Sequence, residues 1–165
     1  MLAQSPNPCP GADGPASAFR NSAPNDPSLG YTPTNVLPSN AQQVTAPNGT
    51  VFYAPPNADF AAVYTYGRTL ASIPSPLNTD GLQFASGFGG LFDFQRGNNR
   101  FNSNYAYASN YAIGILANGA NVSLPYVQFI AGLVKFASGG QGFPSASDAR
   151  AQGYAAAQSG ACLHP

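Results

Sequence analysis

The chain has 165 residues, enough for one domain with a sizeable hydrophobic core, and its six Asp residues balance six Lys and Arg residues. The formal net charge is zero, whereas proteins that bind a phosphate backbone usually carry a cluster of positive charge. The composition therefore does not favour a nucleic-acid binder. Glutamate is absent and the single histidine, His164, is the last residue but one, which argues against a Ser-His-Asp triad.

The N-terminal residues 1–45 are rich in Pro, Ser and Asn and show no hydrophobic periodicity. They predict an irregular arm ahead of a globular domain over residues 46–165. The arm is either a linker from an upstream module or a strap held by Cys9. Many Asn, Ser, Gly and Tyr residues with little charge are typical of a secreted domain. Residues 1–4 do not resemble a signal peptide; if the protein is exported, its export signal lies elsewhere, which would fit a fragment of a longer polypeptide.

Two cysteines, Cys9 and Cys162, lie near opposite ends of the sequence. They either form a disulfide that joins the ends of the domain or are two unrelated thiols. Metal-binding spacing of the C-x-x-C type is absent, so we expect no metal site and no cofactor. No apolar run approaches the ~18 residues of a membrane span, and we expect a monomer without a membrane-spanning segment.

The first regular elements are predicted from residue 50 onward. A strand over Thr50–Ala54 follows the turn signal Asn48-Gly49 and precedes two prolines that would end it. Asn57 is expected to cap a helix over Ala58–Ser72. The next segment, residues 79–88, is predicted to begin with a short helix at about Thr79. The apolar face of the first helix is formed by Phe60, Val63, Tyr64, Gly67, Leu70 and Ala71.

The segment Leu91–Arg96 follows a glycine-rich entry, residues 87–90, and is predicted to be extended. Side chains of an extended segment point alternately to its two sides. Phe92 and Phe94 would therefore turn into the core and hold Asp93 at the surface of a groove.

A central helix is predicted from Phe101 to Gly119, capped by Asn102 or Ser103 and ended by Gly119 in a left-handed conformation. One of its faces is apolar and a second carries hydroxyl and amide groups. A third line of small residues would let another helix approach closely, so we expect contacts on most sides. The polar face is formed by Asn104, Tyr107, Tyr111, Gly114 and Asn118.

Two further helices complete the predicted domain. One follows Ser123 and would bury a stripe that includes Phe129, Ile130 and Leu133 as a core helical partner. The last is alanine-rich and begins at a capping box, Ser145 to Asp148. The predicted fold class is mainly α (α+β). We expect a compact domain of four to five helices with a minor β element and an irregular Pro-rich N-terminal arm.

Asp93 is the acid that the sequence best equips for catalysis, because flanking rings would disfavour its charged form and suit a general acid. Arg96 and Tyr111 are the other predicted catalytic residues. The polar helix face could form a sugar- or peptide-binding wall. The alternatives are an ion pair between Asp93 and Arg96, and a hydrogen-bonded helix interface. The predicted substrate-binding residues are Gln95, Arg100, Asn104, Tyr107 and Asn110.

The order of segments from Thr50 to Gly160 carries a family resemblance. An apolar strand that ends in prolines and a helix precede the glycine-led segment Gly89–Arg96, and an Asn-Tyr helix, an apolar helix and an Asp-capped helix follow. This order and spacing resembles the polymorphic toxin type 44 domain, which ends Rhs-type and other secreted bacterial toxins. Phe92 stands where that family often has Trp. The matching motif positions are Asp93, Asn110, Tyr111 and Gly114.

The resemblance implies a toxin domain of a secreted antibacterial effector. It would follow an upstream delivery module and be neutralised by a cognate immunity protein. We expect a hydrolase that acts on the cell envelope, such as on peptidoglycan in the periplasm of the target bacterium, with Asp93 as the acid. One alternative is a nuclease or another toxin with a cytoplasmic target, in which Arg96 and Arg100 hold the phosphate. A second alternative is a non-enzymatic binding domain.

Overall fold

A computed structural model describes residues 8–10, 32–34, 36–86, 90–97, 100–137 and 145–163. Within these residues the fold is mainly α with two small sheets, which confirms the predicted class. The helices are α1 (Phe60–Ala71), α2 (Leu77–Ser86), α3 (Ala106–Gly119), α4 (Leu124–Ala137) and α5 (Ala146–Gln158). The strands are β1 (Thr32–Thr34), β2 (Gln42–Thr45), β3 (Val51–Ala54), β4 (Arg96–Gly97) and β5 (Arg100–Asn102).

Strands β2 and β3 form an antiparallel hairpin in which Val44 pairs with Phe52. Gly49 lies in its loop with a φ of 86°, a left-handed conformation that glycine adopts without steric cost, so the predicted turn is confirmed. In the other sheet, β5 pairs with β4 in antiparallel and with β1 in parallel orientation. Strands β1 and β2 belong to the predicted arm, of which residues 1–7 and 11–31 lie outside the described residues.

Helix α1 is capped by Asp59 and not by Asn57 as predicted. The Asp59 Oδ1 atom accepts a hydrogen bond from the backbone N–H of Ala62 at 2.8 Å. Asn57 lies inside a preceding turn, which the Ala58 N–H closes by donating to the Pro55 carbonyl at 3.0 Å. The predicted apolar face is confirmed for its buried members Phe60, Val63, Tyr64, Gly67 and Leu70.

The segment around Asp93 consists of consecutive turns, so the predicted extended conformation is wrong. The Asp93 N–H donates to the Gly90 carbonyl, and the Arg96 N–H donates to the Asp93 carbonyl. Because turns do not alternate side chains between two sides, Phe92, Asp93 and Phe94 are all buried. Asp93 is 5% exposed and does not lie at the surface of a groove. The predicted glycine entry at residues 87–89 lies outside the described residues.

Helix α3 lies at the centre of the fold, but it begins at Ala106 and not at Phe101. Arg100–Asn102 forms strand β5, and a 3₁₀ turn over Ser103–Tyr105 joins that strand to the helix. Asn102 caps this turn, since its Oδ1 atom accepts from the Asn104 N–H at 3.0 Å. Packing against α1, α2, α4, α5 and β3 confirms the expectation of contacts on most sides.

Gly119 does not end α3 in a left-handed conformation. The residue with positive φ is Asn121, at 58°, while Gly119 remains helical. Because Gly119 has no side chain, α1 can pack closely against α3 at this position. A Cβ atom at Gly119 would lie 2.6 Å from the Tyr64 carbonyl oxygen, and one at Gly67 would lie 2.5 Å from the Leu116 carbonyl oxygen. This glycine pair therefore lets the backbones of α1 and α3 touch.

A second glycine pair brings α3 against α5. A Cβ atom at Gly114 would overlap the Arg150 carbonyl oxygen, and one at Gly153 would overlap the Tyr111 carbonyl oxygen. Gly153 does not interrupt α5, which continues to Gln158. The close approach places the polar side chains of both helices within hydrogen-bonding distance of each other.

Helix α4 exposes the apolar stripe that was predicted to be buried. Phe129, Ile130 and Leu133 are 61%, 37% and 49% exposed, and Tyr126 on the same face is 47% exposed. The pattern identified an apolar face correctly, but helical spacing cannot tell whether the chain itself covers that face. No helix within the described ranges is both long and apolar enough to cross a membrane.

The disulfide between Cys9 and Cys162 is present, with the two Cα atoms 5.0 Å apart. Both cysteines are buried. The residues beside Cys9 also bond to the core, since the Phe60 N–H donates to the Pro10 carbonyl at 3.0 Å. We refer to Pro8–Pro10 as the N-terminal strap.

Candidate functional site

Asp93 forms an ion pair with Arg96, the alternative that the sequence left open. The Arg96 Nη1 atom lies 2.8 Å from Asp93 Oδ2, and the two side chains are 18% and 5% exposed. The Arg96 guanidinium also lies over the Phe101 ring, 5.1 Å from its centroid. A buried carboxylate held by a neighbouring guanidinium that itself lies against an aromatic ring is a structural anchor for this loop.

The other residues predicted near Asp93 take different positions. The Gln95 N–H donates to the Ser109 hydroxyl at 3.0 Å, which attaches the Asp93 loop to one side of α3. Arg100 and Asn104 are exposed. The backbone N–H of Asn104 belongs to the capped turn before α3.

Tyr111, a predicted catalytic residue, is completely buried. Its ring contacts Phe52 and Phe60, with centroids 4.9 and 5.5 Å away. Its hydroxyl donates to the Pro8 carbonyl of the N-terminal strap at 2.7 Å. Burial raises the pKa of the phenol far above its ordinary value, and the Tyr107 charge adds to this. Tyr111 therefore joins the strap to the core.

Tyr107 connects α3 to the start of α5. Its hydroxyl donates to Asp148 Oδ2 at 2.9 Å, and Asp148 is exposed. Burial, and then the hydrogen bond and negative charge of Asp148, raise the pKa of Tyr107 to about 12, although the Thr50 hydroxyl opposes this. The predicted capping box between Ser145 and Asp148 does not form. The Ser145 side chain makes no capping hydrogen bond, and the Asp148 side chain binds Tyr107 instead.

Asn110 and Arg150 form a second connection between the two helices. The Arg150 Nη1 atom donates to Asn110 Oδ1 at 2.7 Å, and its Nε atom donates to Gln128 Oε1 on α4, also at 2.7 Å. Both amides are held by backbone carbonyls, Asn110 by Ala106 and Gln128 by Ser147. Burial lowers the pKa of the Arg150 guanidinium.

We call Tyr107, Asn110, Asp148 and Arg150 the α3–α5 seam. Three contacts follow the same order along both helices: the Tyr107–Asp148 bond, the Asn110–Arg150 bond and the backbone contact of Tyr111 with Gly153. The N-terminal halves of the two helices therefore lie side by side and bring one carboxylate, one guanidinium, one phenol and one amide together.

The α3–α5 seam and the Asp93–Arg96 pair lie on different faces of α3. Ser109, which binds the Asp93 loop, is two residues from Tyr107, or about 200° around the helix. Of the predicted site residues, the structure thus brings Tyr107 and Asn110 to one place and Asp93, Arg96 and Gln95 to another.

Sequence reasoning missed two residues of the α3–α5 seam. Asp148 was interpreted as a helix cap, and Arg150 was not singled out. A usable signal was present, because Asp148 and Arg150 are the only charged side chains after Lys135. Two charges so close together in an otherwise uncharged, alanine-rich helix indicate a part of it that contacts polar groups.

This arrangement can bind a polar or anionic ligand. Arg150 supplies positive charge, and Asp148 supplies an accessible carboxylate that Tyr107 orients.

Within the described residues, no group of three or more His, Cys, Asp or Glu side chains could hold a metal ion. Scans against protein-family models, curated proteins and solved structures find no match to this chain. The toxin resemblance thus stays a prediction.

Proposed function

We propose that the chain is the toxin domain of a secreted antibacterial protein and that it hydrolyses peptidoglycan in the periplasm. An upstream delivery module and a cognate immunity protein are its proposed partners. The observation that carries the choice of compartment is the buried Cys9–Cys162 disulfide, whose strap also bonds Tyr111 and Phe60. Disulfides persist in oxidising compartments such as the periplasm and are rare in the cytosol.

The α3–α5 seam is the proposed site of contact with the polymer. Asp148 is exposed, whereas Asp93 is buried and ion-paired, so of these two acids Asp148 is the one that a large substrate can reach. Its Oδ2 atom accepts from Tyr107, and no described residue bonds its Oδ1 atom. A carboxylate oriented in this way can exchange a proton with a bound glycosidic or peptide group.

Two assays on one preparation test this function. Purified peptidoglycan embedded in a gel is incubated with the domain, and plasmid DNA is incubated with it in parallel. The proposal predicts clearing of the peptidoglycan, an intact plasmid, and killing only when the domain is directed to the periplasm. Plasmid degradation with killing from the cytoplasm would instead establish the nuclease alternative.

A non-enzymatic binding domain is the second candidate, and the Asp93–Arg96 pair favours it. The acid with the strongest sequence case for catalysis is occupied by a structural partner at 2.8 Å. This candidate predicts that the domain sediments with insoluble peptidoglycan but releases no soluble fragments from it. Release of fragments by wild-type protein and not by Asp148→Asn removes this candidate.

A further inference from the structure

Arg150 differs from the other described arginines in its charge environment. Arg96 is paired with Asp93, while Arg68 and Arg100 are exposed to water. Arg150 is only partly exposed, and the Asp93–Arg96 bridge is the one salt bridge found between described residues. A guanidinium partly withdrawn from water without a carboxylate in salt-bridge contact is unfavourable, and an incoming anion offsets that cost.

Neutral groups hold Arg150 in a fixed orientation. Asn110 and Gln128 each give their NH₂ group to a backbone carbonyl and present their oxygen to the guanidinium, at 2.7 Å in both cases. These bonds use the Nε and Nη1 atoms of Arg150. No described residue accepts a hydrogen bond from Nη2, so the guanidinium is oriented but not saturated.

From this geometry we propose that Arg150 is a binding site for a ligand carboxylate, which the Nη2 edge receives. Two features favour a carboxylate over a phosphate. Arg150 is the one cation of the α3–α5 seam, and the carboxylate of the seam, Asp148, is bonded to Tyr107 and forms no salt bridge with Arg150, which leaves one positive charge for a singly charged ligand. The chain as a whole is neutral. The choice of ligand rests on the proposed function, because peptidoglycan carries carboxylates on its stem peptides and, on glycan units that lack a stem peptide, on the lactyl group of muramic acid.

The test uses NMR of ¹⁵N-labelled protein, in which the Nε–H signal of Arg150 reports directly on this site. The probes are N-acetyl-D-alanyl-D-alanine, the same dipeptide with a C-terminal amide, and N-acetylmuramic acid. The proposal predicts a saturable shift of the Arg150 signal with at least one acid probe and at least a tenfold weaker effect of the amide. The acid probe that binds more tightly identifies the source of the carboxylate.

Arg150→Gln should abolish that binding, whereas Arg68→Gln, an equal charge change at an exposed site on α1, should preserve it. The acid–amide comparison uses the wild-type protein, so it decides the matter even if Arg150→Gln does not fold. Equal effects of acid and amide, or no shift with any probe, would overturn the proposal. The proposal would also be overturned if Asp13→Asn or Asp26→Asn shifted the Arg150 signal while no probe shifted it. The chain itself would then supply the anion.

The peptidoglycan assay separates failure of this proposal from failure of the proposed function. Carboxylate-selective binding without release of peptidoglycan fragments leaves the Arg150 site standing and removes the hydrolase. Release of fragments by Arg150→Gln at the wild-type rate, with no carboxylate preference, removes the Arg150 site and leaves the hydrolase.

Discussion

The hydroxyl group of Tyr111 donates a hydrogen bond to the carbonyl oxygen of Pro8 at 2.7 Å. These residues are 103 positions apart, and the bond lies next to the Cys9–Cys162 disulfide. The N-terminal strap is thus fixed twice, covalently to Cys162 beyond the end of α5 and by a buried hydrogen bond to the centre of α3. A side chain predicted to act in catalysis serves here to close the core.

Replacing Tyr111 by Phe should lower the free energy of unfolding by about 1–2 kcal/mol, since the change leaves the buried Pro8 carbonyl without its donor. Tyr105→Phe is the matched control. The Tyr105 hydroxyl is buried without a partner among the described residues, so its removal should be neutral or stabilising. Urea unfolding of both variants measures the difference. Equal losses would contradict the assigned role of the Pro8 bond.

Reducing the disulfide should lower the melting temperature by roughly 5–15 °C, because it releases a closed loop of 153 residues. Non-reducing mass spectrometry of native protein should first find one peptide that links Cys9 to Cys162. The Cys9→Ser, Cys162→Ser double variant should melt like the reduced protein and be insensitive to reductant. Two thiols that react freely with an alkylating agent in native protein would exclude the bond.

Substituting alanine at the α3–α5 crossing should be strongly destabilising. A methyl group at Gly114 or Gly153 would overlap a backbone carbonyl of the other helix, and backbone cannot move aside as a flexible side chain can. We expect each change to cost at least about 2 kcal/mol. Gly132→Ala in α4 is the control, since nothing lies within 4 Å of the added atom and alanine favours a helix by up to about 1 kcal/mol. Thermal unfolding followed by circular dichroism checks all three.

The parts of the fold that the sequence predicted correctly depend on local patterns. The buried face of α1 follows from its helical spacing. The disulfide was one of two alternatives that the sequence left open, and the structure decides between them. The burial of Asp93 could not be predicted in the same way, because alternation applies only to extended segments and this one is a series of turns. The exposure of the α4 stripe depends on what the chain places over it, which periodicity does not encode.

The α3–α5 seam was only half visible in the sequence. Tyr107 and Asn110 stood out because they recur on one polar helix face. Their partners Asp148 and Arg150 lie 41 and 40 positions further along the chain, so no local pattern connects them. The glycine pair that brings the two helices together has no local signature of its role, since a glycine inside a helix also reads as an interruption.

The pKa of Tyr107 should report on its bond with Asp148. The ordinary pKa of 10.0 is raised to about 12 in the folded protein, so the unfolded chain releases this proton first. The contribution of Tyr107 to stability is therefore fully present below pH 10 and is lost as the pH rises towards 12. Asp148→Asn should bring this pKa part of the way back to its ordinary value, because burial, the larger cause, remains.

NMR of protein labelled at the tyrosine Cζ atoms follows this titration directly. Asp80→Asn, the same substitution at an exposed position of α2, serves as the control and should leave the Tyr107 titration unchanged. A Tyr107 titration that is identical in wild-type protein and in Asp148→Asn would contradict the assigned contact.

The proposed functional site is the α3–α5 seam and not the Asp93–Arg96 pair. Killing by periplasm-directed protein and thermal stability, measured for Asp148→Asn and Asp93→Asn, test it most directly. We predict that Asp148→Asn loses about 10²–10⁴ in activity with little change in melting temperature. Asp93→Asn should lose about 1–3 kcal/mol of stability and keep its activity per folded molecule. A folded but inactive Asp93→Asn beside a fully active Asp148→Asn would contradict the claim.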